Sequence, residues 1–324
     1  MTDVALILQA GWGLSGEVSD LGAGHINDTF LVVDGMNRWV LQRINSQVFL
    51  DPRGLMANVE RVVRHISNRA PGFVPELKTT SAGTSFHIAE GGDCWRLSGF
   101  VADTHTLQSL ENAGQARAAG RAFARYQNLL ADLPQPGLND HIAGFMRLHR
   151  YLADYDEVAV SDDAWRDFVT ERASLQHLLQ QTDDYIHGDC KVNNLLFIDG
   201  SDEVGCVVDL DTTMRGHWAW DFGDLVRSGA THDHGLSLDL FAALADGFVR
   251  EKRGRVGARD LVIAPRYVCF MLGVRFLTDH LRGDRYFKVS APGENLERAE
   301  RHFRLLEEME AAEQEMLLLV SAYE

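Results

Sequence analysis

Three polar residues have the types and spacing that phosphoryl transfer needs. In His187-Gly188-Asp189-Cys190-Lys191-Val192-Asn193-Asn194, a carboxylate stands five residues before a carboxamide, and the apolar run Leu195-Leu196-Phe197 follows at once. Asp209 comes twenty residues after Asp189, at the end of Cys206-Val207-Val208. Such a set divides the labour of metal-assisted transfer. One carboxylate orients or deprotonates an acceptor hydroxyl, while the amide and the other carboxylate hold Mg2+ on nucleotide phosphates. Asp211 is the rival metal ligand, because Asp209-Leu210-Asp211 places two carboxylates on one face of an extended strand. Asp209 is preferred because it directly follows the apolar strand.

The pattern resembles the aminoglycoside phosphotransferase superfamily, small-molecule relatives of protein kinases. Its signature is His-Gly-Asp, four further residues and the Asn, then a hydrophobic strand ending in Asp. The resemblance implies ATP as donor, Asp189 as catalytic base, and Asn194 and Asp209 as Mg2+ ligands. Residues 21–29, with Gly22 and Gly24, lie between two predicted strands, where protein kinases keep the loop that covers the phosphates. Phe100 and Val101 are the expected adenine-binding hinge. The usual lysine of the third strand is absent, and Gln42 or Arg43 takes its place. Arg43 could fork onto phosphate oxygens, although strand alternation turns only one of the pair inward. The helix predicted over 52–69 offers Glu60 as the acidic partner. Asp221-Phe222-Gly223 spells the metal tripeptide of protein kinases, but it lies 32 residues beyond Asp189 and follows Trp218-Ala219-Trp220 rather than a strand. Asp221 is read as a structural brace for the catalytic loop.

Three stretches look like bacterial N-acetylhexosamine 1-kinases. They are Gly24-His25-Ile26-Asn27-Asp28-Thr29 with Leu41-Gln42-Arg43-Ile44-Asn45; Val207-Val208-Asp209-Leu210-Asp211-Thr212 with Asp221-Phe222-Gly223-Asp224; and Arg275-Phe276-Leu277-Thr278-Asp279-His280-Leu281 with Gly283-Asp284-Arg285-Tyr286-Phe287-Lys288. This likeness implies a sugar held by His25, Asp189, Arg275 and Tyr286, and transfer to the anomeric hydroxyl of N-acetylglucosamine or N-acetylgalactosamine. Arg offers five donors to sugar or acetamido oxygens, and Tyr an aromatic face with a polar tip. The chain departs from the pattern at Met146, where a histidine is expected.

The elements around these residues change character along the chain. Short β-branched and aromatic segments at 16–20, 29–33 and 39–44, separated by Gly-rich turns, predict an antiparallel meander. A helix over 52–69 follows, with Asp51 as N-cap and Pro52 in its first turn. Two more strands are expected at 85–89 and 94–101. Helical periods then dominate, at 113–130, 143–155, 163–180, 238–250, 266–282 and 295–319, around a strand-loop insert at 185–209. The expected architecture is α+β, a two-lobed protein-kinase-like fold: a small antiparallel-β nucleotide-binding lobe over 1–101 and a larger, mainly helical lobe over 102–324 with the catalytic loop and acceptor site.

The 324 residues carry 31 Lys and Arg against 47 Asp and Glu, a formal charge of -16. That field repels nucleic acid and anionic membrane surfaces. Cys94, Cys190, Cys206 and Cys269 are scattered without metal-ligand spacing, which disfavours structural zinc and disulfides. With no targeting signal, the expected location is cytoplasmic; the expected partners are a nucleotide and a small sugar, and no protein partner is inferable. The alternatives are another small-molecule kinase, acting on an aminoglycoside, an amino alcohol such as choline, or homoserine, and a non-catalytic nucleotide-binding protein. The missing lysine favours only the last, and the intact Asp189, Asn194 and Asp209 oppose it.

Overall fold

The computed structural model describes residues 4–22, 26–159, 164–180, 182–232 and 235–323. Helix α1 (Val4–Trp12) precedes strands β1 (Glu17–Asp20), β2 (Asp28–Asp34) and β3 (Asn37–Arg43); helix α2 (Pro52–Ser67) and strands β4 (His87–Ile88) and β5 (Cys94–Gly99) follow. The five strands form one antiparallel sheet in the order β1-β2-β3-β5-β4. The β2–β3 hairpin turns through Gly35, whose φ of 60° suits a residue without a Cβ.

Period-two alternation sorts the two faces of this sheet. Val32, Leu41, Trp95 and Leu97 pack against Ile7, Leu8 and Trp12 of α1 in a small core. Thr29, Val40, Gln42, Arg96 and Ser98 face the other way and line a cleft. Helix α2 starts as its sequence predicts: the Asp51 side chain accepts the Gly54 N–H, and Pro52 sits in the first turn. Its apolar stripe, Leu55, Met56, Val59, Val62, Val63 and Ile66, is buried in the larger core, which continues into the helical part.

The remaining elements are β6 (Thr104–Thr106), α3 (Ala113–Leu130), α4 (Leu148–Asp156), α5 (Arg166–Arg172), β7 (Asp184–Ile186), β8 (Leu195–Ile198), β9 (Val204–Val207), β10 (Met214–Gly216), α6 (Trp218–Gly229), β11 (Thr231–His232), β12 (Gly235–Leu236), α7 (Leu238–Glu251), α8 (Ala258–Leu281), α9 (Glu294–Ala311) and α10 (Glu313–Val320). The fold is α+β, a small antiparallel sheet with a large helical part, as expected.

Several boundaries differ from the sequence reading. Helix α8 begins eight residues before the expected 266 and carries Pro265 inside it. Burial holds that turn in place: a Cβ on Gly223 of α6 would lie 2.3 Å from the Ala264 carbonyl oxygen, so the two helices touch backbone to backbone there. The helix expected from 143 starts at Leu148, because Gly144 and Met146 adopt left-handed backbone. That expected over 163–180 shrinks to α5 and a 3-10 segment, Ala173–His177, and that over 295–319 divides at Ala312 into α9 and α10. Helices α1 and α6 were not anticipated.

Candidate active site

Strand β7 pairs with β10 and delivers the chain to residues 187–194, while β8 and β9 form the hairpin that delivers Asp209. His187 is fully buried, with its ring edge-on to Phe123 and Tyr126 and its Nε2 2.9 Å from the Val208 carbonyl oxygen. It thereby ties the catalytic loop to the residue before Asp209. Asp221, at the start of α6, accepts the N–H of His187 at 2.8 Å with one carboxylate oxygen and that of Gly188 at 2.9 Å with the other. Gln127 donates to the same group at 2.8 Å. Burial raises the Asp221 pKa against these hydrogen bonds and the neighbouring His187, which lower it. The tripeptide that imitates a metal motif thus braces the loop. Gly188 has φ 82°, and a Cβ there would stand 2.7 Å from the Thr212 carbonyl oxygen, so this position requires glycine.

Asp189 receives Lys191 Nζ at 2.7 Å and Asn194 Nδ2 at 3.0 Å. Burial acts to raise its pKa, but Lys191, His187 and Asn194 together hold it below the ordinary carboxylate value. The carboxylate is ionised and shaped to accept a further hydrogen bond. Asn194 also donates to the Asp189 carbonyl oxygen at 2.8 Å, which leaves its side-chain oxygen, the atom an amide offers to a metal.

Asp209 sits in left-handed backbone, φ 61° and ψ 62°, and lines the cleft. Its side chain is open to the cleft mouth yet ringed by protein; that enclosure, together with Asp211 and Asp189, pushes its pKa up to about 7. Such a residue favours a cation beside it. Asp211 is committed elsewhere: it forms a bidentate ion pair with Arg96 and accepts Asn27 Nδ2 at 2.7 Å. Asp209 and Asn194 are therefore the oxygen donors available to a metal. Among the described residues no group of three or more His, Cys, Asp or Glu converges as a metal cage. Two protein oxygens suit Mg2+, which keeps waters and takes its other ligands from substrate phosphates.

The cleft between the sheet and this loop has a volume of about 630 Å³. Gly22, Phe100, Val101, Asn194 and Asp209, all expected at a nucleotide site, line it. Gly24 and His25 lie outside the described residues. Arg43 is a correction. It lies on the α1 face, paired with Asp28 and 3.5 Å from Asp93, its side chain 42% exposed, because alternation turns Gln42 inward instead. Glu60 is also corrected: it pairs with Arg64 one helical turn away and accepts Ser85 Oγ, whereas Val59 and Val63 are the α2 residues facing the cleft.

On the far side of the catalytic loop, the Arg275 guanidinium lies over four rings, 5.6 Å from Phe145, 4.9 Å from Tyr151, 6.0 Å from Tyr286 and 5.3 Å from Phe287. Phe145 comes within 3.5 Å of the Cβ position of Gly188, so this cluster adjoins Asp189. The structure thus gathers Arg275 and Tyr286 beside the catalytic loop. Tyr286 is 56% exposed and free to meet a ligand. Met146 is buried, and its carbonyl accepts the Tyr267 hydroxyl.

Two residues escaped sequence reasoning. Lys191 lies two positions beyond Asp189, and a cation that close to the expected base was signal enough. Burial lowers its pKa, but Asp189 and Asp224 more than offset that, so it stays charged. Asp279, a buried acid in the last turn of α8, accepts the backbone N–H groups of Arg285, Tyr286 and Phe287 and the Asn295 side chain.

Residues 17–256 match the sequence profile described as the phosphotransferase enzyme family. Among solved structures, the chain is similar to a choline/ethanolamine kinase family protein from Mesorhizobium loti (19% identity, covering 95% of this chain and 93% of that one, TM-score 0.62). It is also similar to an amicoumacin kinase in complex with AMP-PNP and Ca2+ (13%, 94% and 92%, TM-score 0.65). A third is a microcompartment-associated aminopropanol kinase (16%, 96% and 98%, TM-score 0.65). At these identities the likeness is one of fold.

Proposed function

The chain belongs to the phosphotransferase enzyme family, and from that premise we propose that it transfers the γ-phosphoryl group of Mg2+-ATP to the anomeric hydroxyl of an N-acetylhexosamine. N-acetylglucosamine and N-acetylgalactosamine are the expected acceptors, and the product is the sugar 1-phosphate. Residues 1–101 carry most of the nucleotide contacts, and residues 102–324 supply the acceptor site.

The observation that carries the choice of acceptor is the Arg275 cluster. Four aromatic rings arranged around one point are what a quaternary ammonium would seek. Here the chain's own guanidinium fills that place, next to the catalytic loop. A permanently charged Arg repels a cationic acceptor and donates to hydroxyl or acetamido oxygens. The solved neighbours named for choline/ethanolamine and aminopropanol favour a second reading, an amino-alcohol kinase, which this cation opposes.

In the proposed reaction, the ionised Asp189 accepts the hydrogen bond of O1–H and takes its proton as the O1–P bond forms and ADP leaves. Lys191 stays charged beside Asp189 and neutralises the approaching phosphoryl oxygens. Asn194 orients Asp189 through its amide protons. Asp209 and the Asn194 side-chain oxygen would hold a divalent cation, which would supply positive charge against the negative charge that develops on the phosphates.

The test is ADP release from Mg2+-ATP with N-acetylglucosamine, N-acetylgalactosamine, their 1-O-methyl glycosides, choline, 1-aminopropan-2-ol, homoserine and aminoglycosides. Turnover with the free sugars and none with the methyl glycosides is expected. Turnover confined to the amines would overturn the acceptor assignment and leave the phosphotransferase chemistry in place.

A further inference from the structure

The cleft has no lysine where related kinases reach the phosphates, yet a polyphosphate needs a cation there, all the more in a chain of net charge -16. Among the described residues lining the cleft, Arg96 alone is Lys or Arg. It stands on β5 directly opposite Gln42 of β3, on the same sheet face, and its Nε donates to Gln42 Oε1 at 2.9 Å. Gln42 is held in turn by Thr29 Oγ1. Arg96 is only 5% exposed, and its two terminal nitrogens form a bidentate pair with Asp211.

From this we infer that Arg96 is the cation that binds the nucleotide phosphates, doing from β5 what a lysine at position 42 would do from β3. The inference rests on the kinase reading above. A guanidinium has five N–H donors; Gln42 and Asp211 engage three, and two remain for phosphate oxygens. Asp211 takes the part of the acidic partner that Glu60 does not play, and it comes from the loop that carries Asp209. The pair therefore fastens the sheet to the metal-binding loop. Asn27, just before β2, joins the same network, donating to Asp211 and accepting the N–H of Asn45, just past β3.

The experiment is calorimetric titration of ADP and of adenosine into the wild type, Arg96→Gln, Arg96→Lys and the double variant Gln42→Lys/Arg96→Gln, each checked for folding by thermal melting. Adenosine shares the base but lacks phosphates, so the ratio of the two affinities isolates the phosphate contact. Arg96→Gln is expected to weaken ADP about 10- to 100-fold while adenosine binding holds. The double variant, with the cation returned to β3, is expected to recover much of the loss. Should Arg96→Gln fail to fold, Arg96→Lys is read the same way, since it keeps a charge against Asp211 but loses the fork, and a severalfold drop in the ratio is expected. An unchanged ratio in a folded variant overturns the inference and leaves Arg96 as a strut between sheet and loop. A wild type that binds neither ligand overturns the kinase reading itself.

Discussion

The carboxylate of Asp279, four residues along α8 from Arg275, accepts the backbone N–H of Tyr286 at 2.8 Å. The same buried group also receives the N–H groups of Arg285 and Phe287 and the amide of Asn295. One acid therefore fixes the loop that places Tyr286 and Phe287 against Arg275.

Asp279→Asn replaces one accepting oxygen with a donor that faces backbone N–H groups. Loss of buried hydrogen bonds to a charged group costs about 2–4 kcal/mol. A lower melting temperature is expected, with a sugar KM raised severalfold and an ADP affinity within twofold of wild type. An unchanged sugar KM would detach the loop from acceptor binding.

Asp189→Asn keeps an oxygen to accept from Asn194 but cannot take the acceptor's proton. Turnover is expected to fall about 10³-fold, with ADP binding retained, as steady-state kinetics and titration would show. Full activity would remove Asp189 from its assigned role.

Asp221→Ala strands the N–H groups of His187 and Gly188 and the amide of Gln127. A destabilisation of about 3 kcal/mol is expected, readable by urea denaturation, together with a drop in kcat as the catalytic loop loosens.

Arg275→Ala empties the space between Phe145, Tyr151, Tyr286 and Phe287. The sugar KM should rise, and choline should become a weak ligand of the vacated cluster, gaining about 1–2 kcal/mol from the rings. Competition kinetics would detect both, and neither effect would appear if Arg275 were merely surface.

His302 on α9 stacks on Phe276, and burial, with Arg227 and Arg301 nearby, lowers its pKa from 6.5 to about 3. The folded state keeps this histidine neutral where the unfolded chain protonates it. Stability is therefore full above pH 6.5 and declines as pH falls toward 3, by up to about 1.4 kcal/mol per unit. His302→Phe should flatten that part of the stability profile while retaining the stack.

The spacing of Asp189, Asn194 and Asp209 was legible because the reaction demands those types in a loop and at a strand end, and the fold brings all three together. Helix α2 was legible to its cap, because Asp51, Pro52 and a regular apolar stripe all agree. What remained hidden is tertiary. The face to which Gln42 and Arg43 turn depends on strand register, and the partnership of Arg96 with Asp211 spans 115 residues. Pro265 reads as a helix breaker, but contact with Gly223 carries α8 through it. Helix α6 escaped notice because its polar positions Asp221 and Asp224 are buried along with its apolar ones, so they do not mark a solvent-facing side.

The most direct test of the central claim is proton-coupled 31P NMR of the reaction of Mg2+-ATP with N-acetylglucosamine. The account predicts a new phosphomonoester signal that grows with ADP and couples to the anomeric proton. A phosphomonoester coupled to another sugar position, or none formed at all, would contradict it.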